Sequence, residues 1–160
     1  MTPSERNIPA RTLADRTLTG GCLCGAVRYE IDFSGEEGSL CHCSMCRRLS
    51  GGAFMGFVTV PRASLRLTGK TKAYRSSEIG VRYFCPECGT PLLMTYGFEE
   101  DHLTGIVTGS LDDPEAVPPA LHWGAESMLS WLKLDDRLPR RTTDEDPEFA
   151  EAKRQAGLSC

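Results

Sequence analysis

Three thiols fall within six residues at Cys41-His42-Cys43-Ser44-Met45-Cys46. On an extended chain Cys41 and Cys43 point to the same side. Cys43 and Cys46 stand at the C-x-x-C spacing that wraps backbone around one metal ion. Three thiolates make most of a tetrahedral zinc site and leave one corner unassigned. Three protein ligands with an open corner mark a catalytic zinc, whereas four mark a structural one. A substrate thiol taking that corner would be held deprotonated and could attack an aldehyde carbonyl placed beside it. Zinc could instead polarise the carbonyl oxygen. With three thiolates already bound the ion is electron-rich, which favours thiol docking. Arg47 and Arg48 follow the trio directly. They could pair with substrate carboxylates or stand as solvated surface charges. His42, between two ligands, should point away from their metal and serve packing or hydrogen bonding.

Four more thiols sit in two other motifs. Gly20-Gly21-Cys22-Leu23-Cys24-Gly25 places two cysteines among glycines that let the backbone approach an ion. Cys85-Pro86-Glu87-Cys88-Gly89 is a zinc-knuckle signature. The chain has 8 cysteines, the last being the terminal Cys160. Their spacings, together with an N-terminus (1–16) that lacks the apolar core of a secretory signal, favour metal ligation over disulfides and a cytoplasmic location. Seven clustered thiols cannot make two closed four-sulfur sites. The natural division joins Cys22 and Cys24 to Cys85 and Cys88 around one structural zinc. Cys41, Cys43 and Cys46 are then left as a second, open zinc site carrying the chemistry. Spacing leaves an alternative, in which Cys41 and Cys43 or Cys46 pair with the knuckle. Cys160 reads as an exposed thiol.

The three histidines are His42, His102 and His122. His102 reads as a loop residue that could supply a fourth ligand. His122, beside Trp123, could line the cleft and touch substrate, although a satisfied structural histidine is the commoner case. Trp123 and Trp131 are expected in the core.

The elements that must position these groups are mostly strands. Residues 26–33 alternate Val27, Tyr29, Ile31 and Phe33 with Arg28, Glu30 and Asp32, a half-buried antiparallel strand. Arg47 to Ser50 can complete one helical turn stopped by Gly51-Gly52. Residues 53–60 are apolar on both parities and predict a central strand buried on both faces, ended by Pro61. Residues 65–67 and 72–74 flank Thr68-Gly69-Lys70-Thr71 and predict a hairpin. Strands are predicted at 81–84, 92–96 and, more weakly, 103–111. Residues 118–139 are irregular and should wrap back over the sheet. Asp146-Pro147-Glu148 is a helix start, predicting a helix over 147–156 stopped by Gly157. Its only large apolar residue before the stop is Phe149, so it should bury little.

With 160 residues, 40% hydrophobic and 25% charged, the chain suits one soluble domain plus tails. The divisions are an N-terminal arm at 1–16, a zinc-binding domain at 17–141 and a charged, partly helical tail at 142–160. The formal net charge is -4, and two zinc ions on seven thiolates take it to about -7. That argues against nonspecific nucleic-acid binding. No apolar run approaches the length of a membrane span. Oligomeric state is not legible.

Residues 21–29, 41–47 and 84–90 carry a resemblance to the glutathione-dependent formaldehyde-activating enzyme family, whose domain is shared with centromere protein V. Gly109-Ser110-Leu111-Asp112-Asp113-Pro114, His122-Trp123, Trp131 and residues 135–139 look like its C-terminal stretch. The resemblance covers about residues 17–141. It implies an all-β fold of several small coiled antiparallel sheets clamped by the structural zinc, here with a short C-terminal helix. It also implies a carbon–sulfur lyase activity that joins glutathione, or another small thiol, to formaldehyde or a related aldehyde. His42 and Arg47-Arg48 depart from the pattern of the family's best-known enzyme. The competing reading is a non-catalytic zinc-binding interaction module or a zinc-buffering domain.

Overall fold

Alternation in the first strong strand turns directly into burial. Tyr29, Ile31 and Phe33 face inward while Arg28, Glu30 and Asp32 face solvent. A computed structural model describes residues 16–99 and 102–158. Residues 1–15 of the arm expected at 1–16, and Cys160, therefore lie outside the described residues, while Arg16 opens the first strand. The strands are β1 (Arg16–Gly21), β2 (Arg28–Phe33), β3 (Gly38–Cys41), β4 (Met55–Pro61), β5 (Leu65–Thr68), β6 (Lys72–Arg75), β7 (Gly80–Phe84), β8 (Pro91–Tyr96), β9 (Leu103–Val107), β10 (Pro119–Trp123) and β11 (Arg140–Arg141). The helices are α1 (Ser44–Ser50) and α2 (Pro147–Gln155).

The all-β expectation holds, in two sheets. One has the order β1-β2-β5 and the other β11-β10-β3-β4-β9-β8-β7-β6. The larger sheet is mixed, because β10 runs parallel to both β3 and β11. The irregular stretch after Pro118 thus enters the sheet as a strand instead of only covering it.

The predicted hairpin around Gly69 does not form. Its first arm, β5, pairs with β2, setting Leu65 opposite Ile31 and Leu67 opposite Tyr29. Its second arm, β6, pairs with β7 in the other sheet. Gly69 makes the crossing with φ +93, and a Cβ there would stand 2.2 Å from the Ala26 carbonyl oxygen. Local turn chemistry therefore named a turn correctly, while tertiary pairing sent its two sides apart.

β4 is the central strand that its two-sided apolarity predicts, hydrogen-bonded to β3 and β9. Val58 and Val60 join Tyr29, Ile31, Phe33, Leu92 and Ile106 in the core between the sheets. Met55 and Phe57 join Met94 and Val107 on the opposite face, in the cluster that also holds Cys41, Cys43 and Cys46. One strand thus separates two regions, each with its own cysteine group.

α2 packs more than its composition implies. Asp146 caps it, accepting from the Phe149 N–H at 2.9 Å. Phe149 is buried and meets Tyr96, Phe98 and Trp123 edge-on, at centroid distances of 5.2, 5.8 and 5.7 Å. Lys153 is buried too, donating to the Thr143 hydroxyl at 2.7 Å and to Asp144 at 3.0 Å. Thr143 donates onward to Glu126 at 2.5 Å. One aromatic in a ready-made aromatic socket outweighs a thin apolar stripe. Trp131, expected in the core, is 68% exposed. No helix among the described residues is long and apolar enough to cross a membrane.

Candidate metal centres

The first cysteine group is assembled from the β1–β2 turn and the β7–β8 turn. Sγ atoms of Cys22, Cys24, Cys85 and Cys88 all lie within 4.8 Å of one another. Cys22 to Cys24 is 3.5 Å and Cys24 to Cys85 is 3.8 Å. A tetrahedron with zinc–sulfur bonds of about 2.3 Å sets its sulfurs about 3.8 Å apart, so the set fits that ion. Both turns are built to present sulfur. The Val27 N–H donates to Cys22 Sγ at 3.2 Å, and the Cys85 carbonyl accepts from the Gly89 N–H at 2.9 Å. Thr90 joins the two turns: its Oγ1 accepts from the Leu23 N–H at 3.1 Å and lies 3.1 Å from Cys88 Sγ. That hydroxyl draws the Cys88 thiol down to about 5.

The second group is Cys41, Cys43 and Cys46, again with sulfurs within 4.8 Å of one another and all three buried. The fold thus gathers the seven described thiols as four and three. Cys41 ends β3. Cys43 is the N-cap of α1, its sulfur accepting from the Cys46 N–H at 3.4 Å. The C-x-x-C segment is therefore a helix start and not a continued strand, and Gly51 ends that helix with φ 68. Gly124, with φ +67, brings the chain after β10 against Cys43; a Cβ there would stand 3.3 Å from the Cys43 nitrogen. Three thiols this close cannot all ionise without a cation. Accordingly Cys43 is pulled down to about 2 by hydrogen bonds from Cys41 and Cys46. Cys41 is pushed well up, first by giving its hydrogen bond to Cys43. A divalent ion would relieve the conflict and is what this donor set fits. Among the described residues no histidine, aspartate, glutamate or further cysteine joins the trio. His102 is exposed immediately before β9, with its carbonyl accepting from the Arg62 N–H at 2.8 Å.

Arg82 was missed by sequence reasoning. It is 6% exposed on the face of β7 that looks at the trio. Its Nη2 lies 3.6 Å from Cys46 Sγ, its Nη1 3.2 Å from Met94 Sδ, and its Nε donates to Ser76 at 3.1 Å. A buried guanidinium beside thiolates offsets part of their negative charge. The available signal was an arginine at an inward position of a strand leading into a cysteine motif.

His42 and His122 are both 0% exposed. Asp136 Oδ2 lies 2.8 Å from His122 Nε2, and His122 Nδ1 lies 2.8 Å from His42 Nε2. A carboxylate only accepts, so His122 carries its proton on Nε2 and His42 donates to its Nδ1. This chain ties the segment after β10 to the link between Cys41 and Cys43. Burial, then the neighbouring His122, pushes the His42 imidazole down. His42 thus has the hydrogen-bonding role its position implied. Arg47 donates to the carbonyls of His42 and Ser127, and Arg48 is exposed on α1.

A cavity of about 270 Å³ reaches Cys41. Phe57, Met94, Tyr96, Phe98, Trp123 and Phe149 supply much of its wall. Burial, then the charge of Cys41, pushes the Tyr96 phenol well up, so it stays protonated. His122, Arg47 and Arg48 do not line this cavity.

A family model described as "Glutathione-dependent formaldehyde-activating enzyme" matches residues 17–126. An uncharacterized lyase of Schizosaccharomyces pombe is 34% identical over 77 residues, which is 48% of this chain and 56% of that protein. A Halomonas elongata protein named for glutathione-dependent formaldehyde activation is 25% identical over 130 residues, 75% of this chain and 82% of its own. A Podospora anserina protein of the same name is 32% identical over 97 residues, 58% of this chain and 42% of its own. Among the curated relatives, the match thus spans only about half of the yeast and Podospora proteins. A crystal structure of a Rhodobacter sphaeroides protein superposes with TM-score 0.47 at 18% identity, covering 77% of this chain and 99% of that one.

Proposed function

The chain belongs to the glutathione-dependent formaldehyde-activating enzyme family, and on that premise we propose that it is a zinc-dependent carbon–sulfur lyase acting on the adduct of a small thiol and a small aldehyde. The thiol is glutathione or another small thiol, and the aldehyde is formaldehyde or a relative. The observation that carries this reading is the buried trio Cys41, Cys43 and Cys46 with Cys41 opening on a cavity. In the synthetic direction the thiol sulfur adds to the aldehyde carbon and the thiol proton ends on the oxygen, so nothing is lost or oxidised.

Cys41, Cys43 and Cys46 would hold the reactive zinc, and Cys22, Cys24, Cys85 and Cys88 a structural one. Zinc held there would supply acidification of a bound substrate thiol. The residues of this chain do the rest. Arg82 balances charge under Cys46. The aromatic walls set apolar surface beside Cys41. The Asp136–His122–His42 chain and Arg47 hold the ligand loop in place. Proximity then supplies much of the gain, because the uncatalysed addition is already facile. The zinc-buffering and interaction-module readings offer no use for a walled cavity at Cys41.

The test is calorimetric titration of zinc-loaded protein with glutathione and small thiols, followed by exchange NMR of thiol–formaldehyde mixtures. Thiol binding and accelerated exchange support the reading. Absence of any thiol binding at millimolar concentration would remove it and favour a non-catalytic zinc module.

A further inference from the structure

The cavity at Cys41 has a lopsided charge. Glu37, Asp146 and Glu148 line it, and among the described residues no lysine, arginine or histidine does. Glu37 immediately precedes β3, while Asp146 and Glu148 stand at the start of α2. Two arginines beside the trio are already engaged. Arg82 lies against Cys46 and Met94, and Arg47 binds the backbone carbonyls of His42 and Ser127. The remaining wall includes Tyr96, Phe98, Trp123 and Phe149. Carboxylates and aromatic rings both attract an organic ammonium. Three thiolates around a divalent ion leave a formal charge of about -1, which the Arg82 guanidinium against Cys46 offsets, so a fourth thiolate brings the floor to about -1. A thiol carrying carboxylates would meet like charge from floor and rim. One carrying an ammonium would meet opposite charge from both.

Resting on the thiol-docking reading above, we propose that this cavity selects its thiol by charge, taking small ammonium-bearing thiols first, neutral ones next and carboxylate-bearing thiols last. Glutathione, with two carboxylates against one ammonium, falls toward the unfavoured end. Asp146 also caps α2, so its carboxylate is held in place by the helix it starts. Glu37 and Glu148 are exposed, so their contribution is sensitive to salt.

The experiment titrates zinc-loaded full-length protein with cysteamine, 2-mercaptoethanol, mercaptoacetate and glutathione by calorimetry, at low and at high ionic strength. The same series is run on the Glu37→Gln/Glu148→Gln variant. The parent is expected to bind cysteamine at least 10-fold tighter than mercaptoacetate. That ratio should fall about 5-fold or more in the variant and again at high salt. Comparing ratios cancels the different intrinsic acidities of the thiols, and the salt series on the parent stands independently of how the variant folds. A ratio that salt and the double substitution leave unchanged, or glutathione binding tightest, overturns selection by charge and leaves thiol docking intact. No binding by any thiol overturns the docking reading and this inference with it.

Discussion

The two cysteine groups sit on opposite faces of one sheet and differ in how they are held. Cys22, Cys24, Cys85 and Cys88 come from two turns far apart in sequence and lie at the edge of the main core. Closing them clamps the small sheet to the β7–β8 turn. Cys41, Cys43 and Cys46 come from one short segment, so bringing them together closes no long loop. Their neighbours are instead a buried arginine, an aromatic cavity and a histidine chain. The contrast is one of assembly: four sulfurs are gathered from distant turns, whereas three come from one short segment and sit beside a cavity, the arrangement on which the proposed division of roles rests.

The sharpest way to break that contrast is to remove one ligand from each group. Cys85→Ser should leave little folded protein, since structural zinc contributes about 10 kcal/mol or more in small zinc modules. Cys46→Ser should keep the sheet signature in circular dichroism and lose one bound zinc and the thiol chemistry. Equal damage from both substitutions would erase the distinction. Next in size is chelation. A graded chelator series followed by metal analysis should take one zinc first, with unfolding only when the second leaves. Simultaneous loss of both would contradict an open corner.

Phe149→Ala tests whether α2 belongs to the open region alone. Losing a buried aromatic costs about 3 kcal/mol. Hydrogen exchange should rise across 147–155 and stay unchanged in β1 and β2. Arg82→Met sharpens the electrostatic side of the contrast. Affinity for the labile zinc should fall about 10- to 100-fold, the usual effect of removing a group that supports a ligand, while the four-sulfur site keeps its ion.

The smallest effect is expected from Asp136→Asn, at about 1 kcal/mol of thermal stability. Partial burial raises this carboxyl, but hydrogen bonds from the Leu138 N–H and from His122 outweigh it and hold it below the usual range. Its contribution is therefore present above the unfolded value near about 3.9 and is lost as pH falls through the lower folded value. Parent and variant melting curves should differ at neutral pH and converge below about pH 3.

Much of this molecule is legible in its sequence because the signals are local. Period two in 26–33, two-sided apolarity in 53–60, the cap Asp146-Pro147 and the C-x-C and C-x-x-C spacings each follow from geometry within a few residues. Counting seven clustered thiols excluded two closed four-sulfur sites, but which pair joins the knuckle was left open until the fold gathered them. Tertiary structure alone decided what long-range pairing decides. It sent the two flanks of Gly69 to different sheets and made β10 a parallel strand beside β3. It set Arg82 under Cys46, joined His42 to His122 and Asp136, and laid Phe149 into an aromatic socket beside the cavity. None of these partners is near in sequence, and the free energy that selects them comes from burial and desolvation, which exist only once the chain has closed on itself.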